Sequence, residues 1–112
     1  MKKAGIIRCA STEAMCPGAA CFKVAKEGKG MFSETGPVEV IGFLTCGGCP
    51  GKQVLPRVLK MIEKGAEVIA LSSCVVGKKP GDKYYPCPFL ENLKSVLEKE
   101  VKDKVQLIYG TH

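Results

Sequence analysis

The sequence predicts a single α/β domain built on a four-stranded parallel sheet with helices covering both faces. Two observations predict it. Apolar, β-branched runs alternate with segments of helical periodicity. The runs are also almost continuously hydrophobic, as in Val40-Ile41-Gly42-Phe43-Leu44 and Val68-Ile69-Ala70-Leu71, which is what strands buried on both faces require. A chain of 112 residues with 46% hydrophobic content suffices for one modest core, so residues 1–112 read as one domain.

The first strand is predicted over residues 4–8. A helix over 18–26 follows, ending at Gly28, and the loop signals Gly28-Lys29-Gly30 and Thr35-Gly36-Pro37 lead to a second strand over 38–45. The next helical segment, 51–64, sets Val54, Leu55, Val58, Met61 and Ile62 on one face and stops at Gly65. Pro56 is tolerated there only in the first turn, so this helix starts no earlier than Lys52. A third strand over 67–73 precedes a long loop over 77–86. The last helix, 88–102, carries Phe89, Leu90, Leu93, Val96, Leu97 and Val101 on one face, and a fourth strand spans 105–109. The order β-α-β-α-β-α-β with right-handed crossovers gives a small three-layer, flavodoxin-like fold.

Composition narrows the function. No run of about 18 apolar residues exists, and the apolar stretch 4–7 after Met1-Lys2-Lys3 is too short for a signal-peptide core, so a cytoplasmic protein without membrane spans is expected. Seven cysteines fall below the density of about 8–10% that marks a disulfide-held secreted scaffold, and seven is an odd number. In a reducing compartment such clustering points to metal or redox chemistry. The net charge of +6 does not mark a nucleic-acid binder, because the lysines are spread over the chain and several sit beside acids, as in Glu98-Lys99-Glu100 and Lys102-Asp103-Lys104. Scattered lysines would also balance the charge of about −2 that four thiolates leave around one divalent ion. The loop from Lys78 to Tyr85 reads as exposed and basic.

In a parallel sheet all strands end at one edge, and ligands bind outside that edge. The predicted strands end at Cys9, Cys46, Cys74 and Gly110-Thr111-His112, which brings three cysteines and the only histidine to one rim. Three further cysteines precede proline, in Cys16-Pro17, Cys49-Pro50 and Cys87-Pro88, each ahead of a predicted helix. The residue before proline avoids the α region and proline favours the first helical position, so these cysteines are expected at or near helix N-caps, where the dipole favours an anion. Cys21 falls inside a helix, about a turn past Pro17. His112, at the chain end, can supply a neutral imidazole that partners thiolates on zinc.

Cys46-Gly47-Gly48-Cys49 has the spacing that lets two sulfurs reach one ion or each other. It suits half of a zinc or iron–sulfur site as well as a thioredoxin-like dithiol. Cysteines in excess of two favour the metal. No Gly-x-Gly-x-x-Gly or P-loop pattern follows any strand, which argues against a nucleotide-binding module.

Taken together, Ile7-Arg8-Cys9, Cys16-Pro17-Gly18, Cys21-Phe22-Lys23, Gly28-Lys29-Gly30-Met31-Phe32, Gly42-Phe43, Thr45-Cys46-Gly47-Gly48-Cys49-Pro50-Gly51, Leu71-Ser72-Ser73-Cys74, Cys87-Pro88 and Gly110-Thr111-His112 resemble the CGGC-domain family over most of the chain. The resemblance implies zinc binding, with Cys9, Cys16, Cys21, Cys46, Cys49, Cys74, Cys87 and His112 as metal-ligand candidates, and it implies no particular reaction. Where the family often has a histidine, this chain has Ala70, which shifts any site toward pure thiolate, as all-cysteine zinc or a [4Fe–4S] cluster. The expected partner is therefore a metal ion, zinc first, with an iron–sulfur cluster in electron transfer or sulfur chemistry as the alternative. A thiol–disulfide oxidoreductase using Cys46 and Cys49 is the other alternative.

Overall fold

The computed structural model describes residues 1–10, 16–49, 51–76 and 88–111, the side chain of Cys74 excepted. Strand β1 (Lys2–Arg8) leads through helix α1 (Ala19–Glu27) and a 3-10 turn (Gly30–Glu34) to β2 (Val38–Thr45). Helix α2 (Val54–Glu63) leads to β3 (Val68–Leu71), and a one-turn helix α3 (Ser73–Val76) and the longer α4 (Leu90–Val101) precede β4 (Gln106–Tyr109). The strands lie in the order β2-β1-β3-β4, all parallel.

This order decides the layers. The first crossover runs from β1 outward to β2, while later ones step the other way, so right-handed connections put α1 on one face and α2 and α4 on the opposite face. Two separate cores follow. On one face Ala4, Ile6, Val68, Ala70 and Ile108 pack with Cys21 and Ala25 of α1 and with Phe32. On the other, Ile7, Ile69 and Leu71 pack with Val54, Val58 and Met61 of α2 and with Leu93, Leu97 and Val101 of α4. Successive residues of β1 and β3 serve opposite cores, which is why these strands carry no polar alternation. The architecture is the three-layer, flavodoxin-like one.

Element boundaries differ from expectation for local reasons. Strand β3 stops at Leu71 instead of Ser73, because the Ser72 carbonyl already accepts the Val75 and Val76 N–H groups that open α3. Strand β1 starts two residues early, where Lys2 and Lys3 pair with Val38 and Glu39. The segment read as a loop after Gly28 contains the 3-10 turn, held by the fully buried Phe32. Helices begin later than the Cys-Pro pairs suggest: α1 at Ala19, α2 at Val54 and α4 at Leu90. In the first two cases a left-handed glycine, Gly18 at φ 79° and Gly51 at φ 88°, stands between the proline and the helix and breaks the helical path. Pro56 falls in the first turn of α2, as required, where its missing N–H is harmless.

One packing feature fixes the central strands against α2. A register shift between Ala4 and Gly5 sets Gly5 opposite Gly42, and Met61 fills the dent these two glycines leave. A Cβ at Gly42 would stand 2.7 Å from the Met61 sulfur and 3.0 Å from its Cγ. Swinging the thioether end alone would not relieve the Cγ contact. Gly42→Ala is therefore expected to cost about 1–3 kcal/mol by overpacking. Urea unfolding measures it, and Met61→Ala, itself a costly large-to-small core change, should cost less in the Gly42→Ala background than alone; an unchanged midpoint for Gly42→Ala would contradict the packing.

At the end of β4, the Tyr109 hydroxyl donates to Glu98 Oε1 of α4 at 3.0 Å, and Lys94 Nζ lies 4.8 Å from the ring centroid. Burial, then the bond to Glu98 and its negative charge, push the Tyr109 phenol up to about 12. Because the folded value exceeds the unfolded 10.0, the stabilisation is fully present below pH 10 and is lost as pH rises toward 12. Ultraviolet titration compared with Tyr109→Phe should assign the late tyrosinate to Tyr109. Glu98→Gln should lower that value only in part, since burial remains; ionisation at 10 in the wild type would refute the assignment.

Candidate functional site at the carboxyl edge of the sheet

The sheet ladder continues one residue past β2, β3 and β4. The Cys46 N–H donates to the Arg8 carbonyl at 2.8 Å, Ser72 N–H to the Ile7 carbonyl at 2.8 Å, and Gly110 N–H to the Leu71 carbonyl at 2.7 Å. These bonds tie the residues that leave β2, β3 and β4 to one rim. Cys9 is the first residue beyond β1 and Cys46 the first beyond β2.

Cys9, Cys46 and Cys49 line one enclosed cavity together with Gly48, Gly51, Val75, Phe89 and Leu93. Its volume is about 20 Å³, room for about one water-sized sphere. Cys46 is buried, Cys9 half-buried and Cys49 exposed. Apart from the sulfurs, the walls are glycine and apolar side chains, which offer no oxygen ligand to compete with sulfur. Among the described residues no three Cys, His, Asp or Glu groups stand close enough to hold an ion together. The donor set suits a soft-ligand metal.

The other candidates are placed differently. Cys16 is half-buried in the loop before α1, and its carbonyl accepts a hydrogen bond from the Arg8 guanidinium. Cys21 is buried in the core under α1, on the face opposite the core that holds Cys46. Its sulfur lies 3.2 Å from Thr111 Oγ1, which also accepts from the Ser73 N–H at 3.4 Å, while the Thr111 N–H donates to Ser73 Oγ at 3.1 Å. Cys74 falls within α3, one residue beyond the expected strand end, and its side chain, Cys87 and His112 lie outside the described residues. The cysteines stand near the N-caps and do not occupy them: α1 is capped by Gly18, two residues past Cys16, and α2 by Gln53, four past Cys49.

Two arginines went unnoticed in the sequence. Arg8 ends β1 with its guanidinium carbon 5.0 Å from the Phe43 ring centroid. Arg57, on the first turns of α2, donates through Nη1 to the Thr45 carbonyl at 2.9 Å and to Thr45 Oγ1 at 3.0 Å. Both line an open cleft of about 530 Å³ at the ends of β1 and β2, bounded also by Thr45, Gly47 and Gly48. The only sequence signal was a charged residue closing an otherwise apolar strand at Arg8. Among the described residues, no helix is long and apolar enough to cross a membrane.

Comparison with known proteins agrees with the residues at this rim. The sequence pattern described as the CGGC domain matches residues 3–112. "Uncharacterized protein MJ0582" of Methanocaldococcus jannaschii is 33% identical over 117 aligned positions, covering 98% of this chain and 86% of its own. "Uncharacterized protein MJ0766" of the same organism is 39% identical over 60 positions, covering 53% of this chain and 83% of its own. No solved structure matches the chain. With the pattern running from β1 through the Cys46–Cys49 turn to the end of β4, the chain belongs to the CGGC-domain family.

Proposed function

We propose that this cysteine-rich domain is a metal-binding protein that holds a single zinc ion through thiolates at the carboxyl edge of its sheet, in a reducing, cytoplasmic setting. Cys46 and Cys49 form the chelating arm and Cys9 supplies a third sulfur. A fourth ligand comes from Cys74 or Cys87, with His112 as the imidazole alternative. The observation that carries the reading is the cavity of about 20 Å³ with three cysteines and otherwise apolar walls. A tetrahedral thiolate site needs four ligands at about 2.3 Å, so the sulfurs close in when the ion enters. Bound zinc would supply a Lewis-acidic, redox-silent centre. The protein's own part is to deliver thiols from separate strand ends into a space that excludes oxygen ligands. Cys21 is left out of this set, because it packs in the core on the opposite face of the sheet from Cys46, with its sulfur 3.2 Å from Thr111 Oγ1.

A second reading draws on the contrast between the exposed Cys49 and the buried Cys46. In a thiol–disulfide exchange, Cys49 thiolate would attack a substrate disulfide and release one substrate thiolate. Cys46 would then displace the second, leaving a Cys46–Cys49 disulfide to be reduced by a small thiol.

Protein purified without oxygen should be colourless and hold about one zinc per chain. Cys46→Ser and Cys49→Ser should each weaken zinc binding by roughly tenfold or more, while Cys21→Ser leaves it unchanged. Chelation should leave far-UV circular dichroism largely intact and lower the melting temperature, because the ion stabilises only the folded state that binds it. Iron and sulfide with broad visible absorbance would replace zinc by a cluster. Full zinc retention in both serine variants would overturn the site, and disulfide-reductase turnover abolished by Cys46→Ser would favour exchange.

A further inference from the structure

We infer that the cleft between Arg8 and Arg57 is a binding site for a small oxyanion, the carboxylate, phosphate or sulfate group of an acidic ligand. It is distinct from the thiol cavity, and its charge and geometry do not depend on a metal being bound. The two spaces share one wall: Gly48 lines both, with Cys46, Cys49 and Cys9 on one side and the guanidiniums on the other.

Charge is the first reason. Two guanidiniums border the cleft, and among the described residues no carboxylate lines it and neither arginine has an ion pair. Two like charges facing one space repel, and an oxyanion relieves that repulsion while accepting charge-assisted hydrogen bonds from both.

Preorganisation is the second reason. Arg57 is clamped through one nitrogen, Nη1, to the carbonyl and hydroxyl of Thr45. Arg8 is stacked on Phe43 and tied to the Cys16 carbonyl, and its Nε is buried with no hydrogen-bond partner among the described residues. Rigid guanidiniums lose little further freedom on binding, and their forked donors match carboxylate or phosphate. The backbone makes room for this: a Cβ at Gly47 would lie 3.3 Å from the Arg57 guanidinium carbon and 2.7 Å from Gln53 Cβ, whereas Gly48 faces open space. The cleft also lies outside the carboxyl ends of β1 and β2, where parallel sheets bind ligands.

Calorimetric titration of the full chain at low ionic strength, with inorganic phosphate, sulfate and succinate in separate runs, tests the site. Saturable binding of at least one is expected, and the pattern among the three distinguishes the source of the anion. Arg57→Gln and Arg8→Gln should each weaken it by roughly tenfold or more, the scale of a lost charge-assisted bond. Lys52→Gln removes the same charge from an exposed residue outside the cleft lining and should change affinity by no more than about twofold. Should an arginine variant fold poorly, amide shifts of the wild type on titration decide, since they should centre on Gly47 and Gly48. No saturable binding of any of the three, an equal loss in Lys52→Gln, or shifts spread over the lysine-rich surface would overturn the proposal. Loss of zinc from the thiol variants without change in anion binding would show that the two sites stand or fall separately.

Discussion

Everything at the rim depends on the four strands running the same way. Parallel pairing prevents the chain from returning by a hairpin, so consecutive strands are joined through helices that must cover a sheet face, and both faces become core. The same constraint puts every strand's exit at one edge. Cys9, Cys46 and the Ser72-Ser73-Cys74 turn therefore become neighbours although more than sixty positions of sequence separate the first from the last. The ladder bonds that reach past the strands, from Cys46 to Arg8 and from Ser72 to Ile7, keep these exits from fraying. A rigid rim holds nucleophilic or ligating side chains at a lower entropic cost than a free loop would.

How much of this was legible in the sequence follows from the range of the forces involved. Strand and helix identity came through because burial on both faces leaves a one-dimensional trace, the unbroken apolar runs of β2 and β3. The placement of Cys9 and Cys46 followed from strand polarity alone. The helix starts did not follow, because proline's preference for the first helical turn is weaker than the break imposed by the left-handed Gly18 and Gly51 that come next. The face of Cys21 was hidden for another reason: a helical residue's neighbours depend on how the helix is rolled onto the sheet. The partner it meets, Thr111, lies ninety positions away.

The arginines illustrate a different blind spot. Net charge and its spread along the chain describe lysines that are mostly exposed and solvated, and they say nothing about two arginines brought together by the β1–β2 pairing and the roll of α2. Arg8 closes an apolar run and Arg57 lies among helical residues, so each reads in isolation as ordinary surface. Only the register of Arg8 with Thr45, and the reach of Arg57 back to that same Thr45, makes them a pair.

The glycine pair of the central tetrapeptide then has two jobs. Between cysteines, Gly47 and Gly48 adopt φ of 80° and 99°, a turn that side-chain-bearing residues rarely make, and this turn lets Cys46 and Cys49 border the same cavity. On its outer side, the missing Cβ of Gly47 leaves the space against which Gln53 and the Arg57 guanidinium pack. A substitution at Gly47 would strain the turn and displace the arginine together, whereas one at Gly48, which faces open space, would strain the turn alone. The two glycines are thus unequal. Gly48 answers to backbone conformation, while Gly47 also answers to the packing of α2 against the end of β2, so the spacing between the cysteines is set from both sides of the turn.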